Sequence, residues 1–446
     1  MKGRKFIPLV VVAAGLLAYH NSFTGPFIHD DVPSIGDNPT ICHLWPIWRP
    51  LSPPHRGGIT VEGRPIINLS LAFNYALGGC RVWGYHALNL IIHVLAALTL
   101  FGIVRRTLLR PVFRGHFDAA ADGLALSAAV LWTVHPLQTE SVTYIVQRAE
   151  SIMGLFYLLT LYCFIRAAES PRPRAWYGLC LSACALGMAS KEVMASAPLM
   201  VMLFDRTFVS GSLREAWRRR WPWYVALAST WILLGYLLFF TGSFGNALVN
   251  AQLRGDSRWA YLLAEPGVMI HYLRLSVWPY PLCFDYFGWP MARTWTGMLL
   301  PSLMIAILTA AAVWAWKTNS PWGFLGAWFF LILAPSSSLV PTDSPAYEHR
   351  MYLSLAAVVV AGRIASVKGV NALLFTNRIV LQFLQTSNRQ ARSVKSNASA
   401  IDDIVKLSTS MTDCLCHSVD WLSIAARCTT DGSPSRLARD RLQSTR

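Results

Sequence analysis

Long apolar runs, separated by short polar stretches, follow one another along most of the chain. A helix that crosses a membrane needs about 20 mostly apolar residues. Runs near that length predict helices at 6–23, 83–104, 123–144, 151–168, 176–190, 193–209, 222–241, 298–316, 322–341 and 351–366. A further stretch, 259–279, contains His271 and Arg274 and is predicted to re-enter the membrane or lie on its surface. The pattern predicts an all-α polytopic transmembrane helical bundle with about 10–11 membrane helices.

The composition agrees with a membrane protein. Of 446 residues, 54% are hydrophobic and 14% are charged, whereas soluble domains carry about 25% charged residues. The net charge of +16 would favour nucleic-acid binding in a soluble protein. Here the basic residues fall in loops between apolar runs, where they set membrane orientation, so no nucleic-acid partner is predicted. Nine scattered cysteines predict neither a disulfide framework nor a protein metal site.

The basic clusters predict an orientation. If the apolar runs alternate across the membrane, these clusters share one side, which is then cytoplasmic. They lie at residues 2–5, 105–114, 172–174, 214–220 and 317. The chain is thus predicted to be an integral, multi-pass membrane protein with a cytoplasmic N-terminus and its first apolar run retained as a signal anchor. Most acidic residues then face the exoplasmic side.

The first exoplasmic loop, about 24–82, holds an acidic pair, Asp30 and Asp31. Acidic residues beside a membrane are costly unless they face water or a polar cavity, so the pair is a candidate functional site. Two solvated loop aspartates are the alternative. Residues 64–75 have helical apolar spacing, are too short to span, and predict an interfacial helix. On such a helix the glycosylation sequon at Asn68 would be unusable.

Three further polar motifs lie at predicted exoplasmic helix ends: 135–151, 190–192 and 347–352. Each alone fits a helix end, a solvated turn or an interfacial anchor. Together they place cations and carboxylates on one face. Cations suit phosphate recognition, and a carboxylate suits deprotonation of a hydroxyl. This combination favours sugar transfer from a lipid phosphate, with a divalent metal possible but not required by the argument.

Several stretches resemble the transmembrane half of the transmembrane and tetratricopeptide-repeat O-mannosyltransferase family and its bacterial relatives, which are GT-C-like glycosyltransferases. They lie at 27–31, 63–70, 84–93, 135–151, 190–193, 203–206, 283–286 and 347–353. The resemblance covers roughly 6–360. It implies a GT-C-type enzyme with a polyprenyl- or dolichyl-phosphate sugar donor, mannose-linked in eukaryotic relatives, and a protein Ser or Thr acceptor on the exoplasmic side.

The resemblance also assigns site residues. It places the catalytic carboxylate in the first exoplasmic loop, which maps onto Asp30 or Asp31. Combined with the charge argument, it makes Arg148, Lys191 and Arg350 candidates for binding the donor phosphate. The supporting residues predicted around them are His135, Glu140, Glu150, Glu192, Glu348 and His349.

The pattern changes near residue 366. Residues 1–366 are predicted to form the glycosyltransferase domain, and 367–446 a polar tail, disordered or partly helical, without tetratricopeptide repeats. One hypothesis is that this tail results from truncation, a frameshift or a wrongly joined reading frame. Two functional alternatives stay open: a non-catalytic transporter of lipid or solute, and an inactive, truncated glycosyltransferase.

Overall fold

The computed structural model describes residues 6–54, 60–240, 258–286, 289, 295–337 and 344–367. Within these ranges the chain is helical and forms no strand. The predicted tail lies outside the described residues apart from residue 367. The all-α fold class predicted from the apolar pattern is therefore confirmed.

Thirteen α-helices occur in the described ranges. They are α1 Ile7–Tyr19, α2 Pro65–Gly78, α3 Val82–Leu108, α4 Ala121–Val134, α5 Thr139–Thr143, α6 Arg148–Glu169, α7 Pro173–Met188, α8 Ala197–Asp205, α9 Leu213–Phe240, α10 Arg258–Val277, α11 Trp295–Lys317, α12 Pro321–Leu333 and α13 Met351–Val367. Short 3₁₀ turns lie at Pro136–Gln138, Ile145–Gln147, Glu192–Ser196 and Glu348–Arg350. They contain or directly adjoin seven of the eleven predicted site residues.

Five helical segments are long and apolar enough to cross a membrane. They are Val82–Leu108, Ile145–Glu169, Glu192–Ser210, Leu213–Phe239 and Met298–Lys317. The 27 residues of α3 extend about 40 Å at 1.5 Å per residue, which exceeds a hydrocarbon core of about 30 Å. Shorter apolar helices occur at Ile7–Tyr19, Ala121–Val134 and Pro321–Leu333. The chain is a membrane protein, and the count of 10–11 membrane helices stays a prediction.

The single helix predicted over 123–144 is wrong. Helix α4 ends at Val134, and His135 is extended, with φ −66° and ψ 131°, because a following proline disfavours the helical conformation. Two 3₁₀ turns and the five-residue α5 then follow before α6 begins at Arg148. The polar motif at 135–148 is therefore a folded connection between two apolar helices.

A small apolar cluster attaches the first loop to the helical bundle. Ile67 and Leu71 of α2 pack with Tyr85 of α3 and Ile152 of α6, and all are buried. This confirms the helix predicted over 64–75. Asn68 is also buried, and its amide donates to the Pro50 carbonyl at 2.8 Å, which agrees with an unusable sequon. The placement of α2 in a membrane interface stays a prediction.

The opposite ends of α3 and α6 carry different groups of the predicted polar residues. At one end Arg106 pairs with Glu169, and Arg110 lies 3.4 Å from the same carboxylate. Nearby, Arg220 pairs with the buried Asp205 at 2.9 Å. These are basic and acidic residues predicted to share the cytoplasmic side. The predicted exoplasmic motifs lie at the other end of the same helices, so the segregation of polar groups agrees with the sequence pattern.

Candidate functional site

Asp31 is the buried residue of the acidic pair, and its carboxylate holds two backbone segments together. Its side chain is 1% exposed. Its Oδ2 accepts the backbone N–H of Ile28 at 3.1 Å, and its Oδ1 accepts that of Val146 at 2.8 Å. Burial raises the pKa of this carboxyl to about 6. Asp31 therefore attaches the first loop to the 3₁₀ turn that precedes α6.

Asp30 is the accessible member of the pair, with 35% of its side chain exposed. Its Oδ1 lies 2.9 Å from His29 Nδ1, and its Oδ2 accepts the Thr60 hydroxyl at 3.0 Å. Its backbone N–H donates to the Tyr144 hydroxyl at 2.9 Å. The backbone and both carboxylate oxygens are thus held, while the carboxylate still reaches the surface.

The residue before Asp30 adopts an unusual conformation. His29 has φ +46°, in the left-handed region that few non-glycine residues occupy and that strains the backbone. Its side chain is 64% exposed. The turn that presents Asp30 is therefore maintained by the contacts of the surrounding loop rather than by local preference.

A buried ionic chain joins three of the predicted motifs. Lys191 Nζ donates to Glu150 Oε1 at 2.8 Å, and His349 Nε2 lies 4.0 Å from the same oxygen. His349 Nδ1 lies 2.6 Å from Glu140 Oε1, and the His349 backbone N–H donates to Glu140 Oε2 at 2.9 Å. We call Lys191, Glu150, His349 and Glu140 the ionic chain. It connects the first turn of α6 to the segments that precede α8 and α13.

A hydrogen-bonded series connects Asp30 to the ionic chain. Arg64 Nη1 donates to the Thr60 carbonyl at 2.9 Å, and Arg64 Nη2 lies 3.2 Å from Glu192 Oε2. Glu192 directly follows Lys191 in the chain. Asp30, a candidate for the base, and Lys191, a candidate for the phosphate ligand, thus belong to one assembly of polar residues.

Several residues of the candidate site fall within the region that matches a known protein family. The family described as dolichyl-phosphate-mannose-protein mannosyltransferase matches residues 63–239, which include Arg64, α6 and Lys191. The protein O-mannosyl-transferase Tmtc2 of Drosophila melanogaster is 30% identical over 304 residues, covering 63% of this chain and 30% of the relative. Over these residues the chain is similar to protein O-mannosyl-transferases.

Two further relatives match 307 and 167 residues. TMTC2 of Mus musculus is 30% identical over 307 residues, covering 62% of this chain and 35% of the relative. TMTC1 of Homo sapiens is 32% identical over 167 residues, covering 36% of this chain and 18% of the relative. The chain spans about a third of the length of the Drosophila melanogaster and Mus musculus relatives. No solved structure matches it.

Arg148 lies apart from the ionic chain. Its guanidinium is fully buried. Its Nη1 donates to Asn74 Oδ1 at 2.6 Å and to the Ser70 carbonyl at 3.2 Å, and its Nη2 donates to the Tyr85 carbonyl at 3.1 Å. These contacts hold α2 against α3 and α6. A role for Arg148 at the donor phosphate stays a prediction.

Arg350 and His135 also contact the backbone. Arg350 Nη1 donates to the Pro345 carbonyl at 2.7 Å, and Nη2 to the Ser344 carbonyl at 3.2 Å. His135 Nδ1 accepts the Leu137 N–H at 3.2 Å, and its Nε2 lies 3.1 Å from the Ser276 carbonyl. Both side chains are buried. Their contacts shape the loops around the ionic chain, and their predicted functional roles are not tested.

Glu348 directly precedes His349 of the ionic chain and contacts the segment 283–286. The sequence motifs did not predict this segment as part of the site. Glu348 Oε1 accepts the Cys283 backbone N–H at 2.6 Å and the Tyr286 hydroxyl at 2.8 Å. Burial raises the pKa of Glu348 to about 7, with the charge of Glu140 acting in the same direction. Arg64, Thr60 and the 283–286 segment were missed as site residues. The signal available for Arg64 and 283–286 was their place in the stretches that carry the family resemblance.

The described residues contain no group of three or more His, Cys, Asp or Glu side chains suited to a metal ion. A groove of about 470 Å³ lies among α1, α3 and α6 beside Arg105 and Arg106. A smaller apolar cavity of about 70 Å³ lies among α3, α12 and α13. Neither is lined by a predicted site residue, so the candidate site is the loop surface around Asp30.

Proposed function

We propose that this chain carries the donor site and the base of a membrane glycosyltransferase. It transfers a mannosyl group from dolichyl or polyprenyl phosphate to a Ser or Thr hydroxyl of an acceptor protein, on the exoplasmic side. The observation that carries the proposal is the accessible Asp30 carboxylate, which a hydrogen-bonded series connects to the ionic chain at one end of an apolar helical bundle. The names of the relatives support the same class of reaction.

Asp30 acts as the general base. Its carboxylate accepts the proton of the acceptor hydroxyl as the hydroxyl oxygen bonds to the anomeric carbon of the sugar. The bond between that carbon and the phosphate oxygen breaks, and the phosphate leaves with the electron pair. The lipid phosphate is a stable anion and needs no proton to depart, so one carboxylate suffices. Asp31, whose oxygens accept two backbone N–H groups, positions the base.

Lys191 stabilises the departing phosphate. An ammonium has three N–H donors, and one of them is directed at Glu150. We assign the others to the phosphate, where a fixed cation stabilises the negative charge that develops as the bond breaks. Arg64, with 22% of its side chain exposed, lies in the series between Lys191 and Asp30 and contributes positive charge on the side of the acceptor.

The test is transfer of radiolabelled mannose from a synthetic polyprenyl-phosphate mannose by the whole chain in proteoliposomes. Asp30→Asn should strongly reduce transfer and retain donor binding, because the proton acceptor is lost and the loop contacts are nearly unchanged. Asp31→Asn should retain partial transfer. Asp37→Asn, an exposed carboxylate of the same loop, is the matched control.

The outcomes separate the alternatives. Full transfer by Asp30→Asn would contradict the assignment of the base. Donor binding by the unaltered chain without transfer to any protein would favour an inactive glycosyltransferase. Flux of lipid or solute across the vesicle membrane without transfer would favour a transporter.

A further inference from the structure

One side chain beside the base is both aromatic and open to solvent. Phe284 is 46% exposed. Its two flanking attachments, the Cys283 backbone N–H and the Tyr286 hydroxyl, donate to the same oxygen, Glu348 Oε1, at 2.6 and 2.8 Å. This bracket holds the backbone before the exposed ring and a side chain after it on one carboxylate oxygen. An apolar ring held in this way at the surface is suited to a ligand.

The position of Phe284 relative to Asp30 is defined by two ring contacts. Its ring centroid lies 5.1 Å from that of Tyr144 and 6.3 Å from that of His29, in edge-to-face arrangements. Tyr144 accepts the Asp30 backbone N–H, and His29 Nδ1 lies 2.9 Å from Asp30 Oδ1. Phe284 therefore contacts two residues, His29 and Tyr144, each of which contacts Asp30.

The reaction geometry places the sugar at a comparable distance. The acceptor oxygen must lie about 3 Å from the base and about 3 Å from the anomeric carbon. The sugar ring then begins about 6 Å from the Asp30 carboxylate, by the sum of those two separations. Sugars present hydroxyl groups at the rim and C–H groups on the ring face. Carboxylates bind the rim, whereas the electron-rich face of an aromatic ring attracts C–H groups.

We propose that the exposed face of Phe284 packs against the C–H face of the donor's mannosyl ring and that Glu348 is the residue that positions it there. This inference rests on the proposed function and deepens it by naming the contact that recognises the sugar. It also gives the 283–286 segment a role. The segment provides an apolar surface at a site otherwise made of charged and hydroxyl groups, and the two ends of the bracket fix that surface relative to Asp30.

The test compares two lipids that differ only in the sugar. The whole chain, reconstituted in nanodiscs, is titrated with radiolabelled polyprenyl-phosphate mannose and, separately, with radiolabelled polyprenyl phosphate. Phe284→Ala should weaken binding of the mannose-bearing lipid by about two- to tenfold, the range expected for loss of an aromatic contact. It should leave binding of the sugar-free lipid within about twofold. Phe284→Tyr keeps the ring face and should bind both lipids like the unaltered chain.

Two further variants complete the design. Tyr286→Phe removes one end of the bracket and should cause a smaller loss, again confined to the mannose-bearing lipid. Phe73→Ala removes a ring of equal exposure, 46%, on α2 and should change neither affinity. Equal weakening of both lipids by Phe284→Ala, or weakening of neither, would overturn the inference. So would equal losses in Phe284→Tyr and Phe284→Ala, because the ring face would then be irrelevant.

Because binding needs no turnover, the inference and the proposed function fail in different ways. A selective loss of mannose-lipid binding in a chain that transfers nothing would support the role of Phe284 and count against the transferase. Transfer that depends on Asp30, with no lipid selectivity in Phe284→Ala, would support the transferase and overturn the role of Phe284. No binding of either lipid by the unaltered chain would overturn both.

Discussion

The pair formed by Lys191 and Glu150 allows a quantitative test of the ionic chain. The two side chains are 9% and 3% exposed, and Nζ lies 2.8 Å from Oε1. Replacing Lys191 by Met leaves a buried carboxylate without its cation, which typically destabilises a protein by about 3–5 kcal/mol. His349 Nε2 lies 4.0 Å from the same oxygen. Because this ring stays next to the carboxylate, we expect a value at the lower end of that range, about 3 kcal/mol.

A double-mutant cycle isolates the interaction. Lys191→Met and Glu150→Gln each leave one charge buried, whereas the double variant leaves none. The double variant should therefore be less destabilised than the sum of the single variants, by about 2–3 kcal/mol of coupling. The free energy of unfolding is measured by tryptophan fluorescence during titration with dodecyl sulfate in mixed micelles. Glu215→Gln, which removes an exposed ion pair with Arg218 and Arg219, should cause little change.

Two results would contradict an interaction between Lys191 and Glu150. A Lys191→Met variant as stable as the unaltered chain would show that the Glu150 side chain does not depend on Lys191 in the folded state. Additive losses in the double variant would show that the two groups do not interact. Either result would remove the ionic chain as the element that organises the site.

Three further predictions follow from single residues. The pKa of Asp31 is raised from 3.8 to about 6, so its protonated form stabilises the fold below about pH 4, and that contribution is lost as the pH rises through 6. Relative to Asp31→Asn, the unaltered chain should lose about 3 kcal/mol of unfolding free energy over that range, at 1.36 kcal/mol per pKa unit, and a constant difference would contradict this. His29→Gly should be more stable than His29→Ala by about 1 kcal/mol, because only glycine adopts φ +46° without strain; equal stabilities would argue against a strained turn. Arg148→Lys should lower the unfolding free energy by about 2–4 kcal/mol, because an ammonium cannot reproduce the fork of contacts to Asn74 and Tyr85. If instead it weakened polyprenyl-phosphate binding and left stability unchanged, the phosphate role of Arg148 would be supported.

The long helices were predictable because their apolar runs are continuous and end at charged residues. Helix α3 runs for 27 residues and has Arg105 and Arg106 in its last turn, close to the predicted 83–104. A helix end at His135 was only one alternative for the 135–151 motif, and the predicted span ran on to 144 because the apolar content around Leu137 and Val142 continued the run. The local effect of Pro136 on His135 decides the structure there. Local backbone chemistry outweighed the hydrophobic pattern at this point.

The sequence predicted which residues lie in the site better than it predicted which of them pair. Polar residues at the same predicted end of apolar helices were expected on one face, and the structure joins Glu140, Glu150, Lys191 and His349 there. Which cation meets which carboxylate depends on packing between segments separated by 41 to 209 residues. For the same reason, the sequence cannot tell whether an arginine faces a ligand or backbone carbonyls, and Arg148 binds carbonyls and an amide.

The central claim is that Asp30 is the base of a sugar transfer, and single-turnover transfer by Asp30→Asn tests it most directly. With the donor saturating and bound lipid measured in the same sample, the rate should fall by about 10²- to 10⁴-fold, the contribution usual for general base catalysis. Donor binding should remain, and Asp37→Asn should transfer at the rate of the unaltered chain. An Asp30→Asn variant that transfers mannose at the unaltered rate would contradict the account.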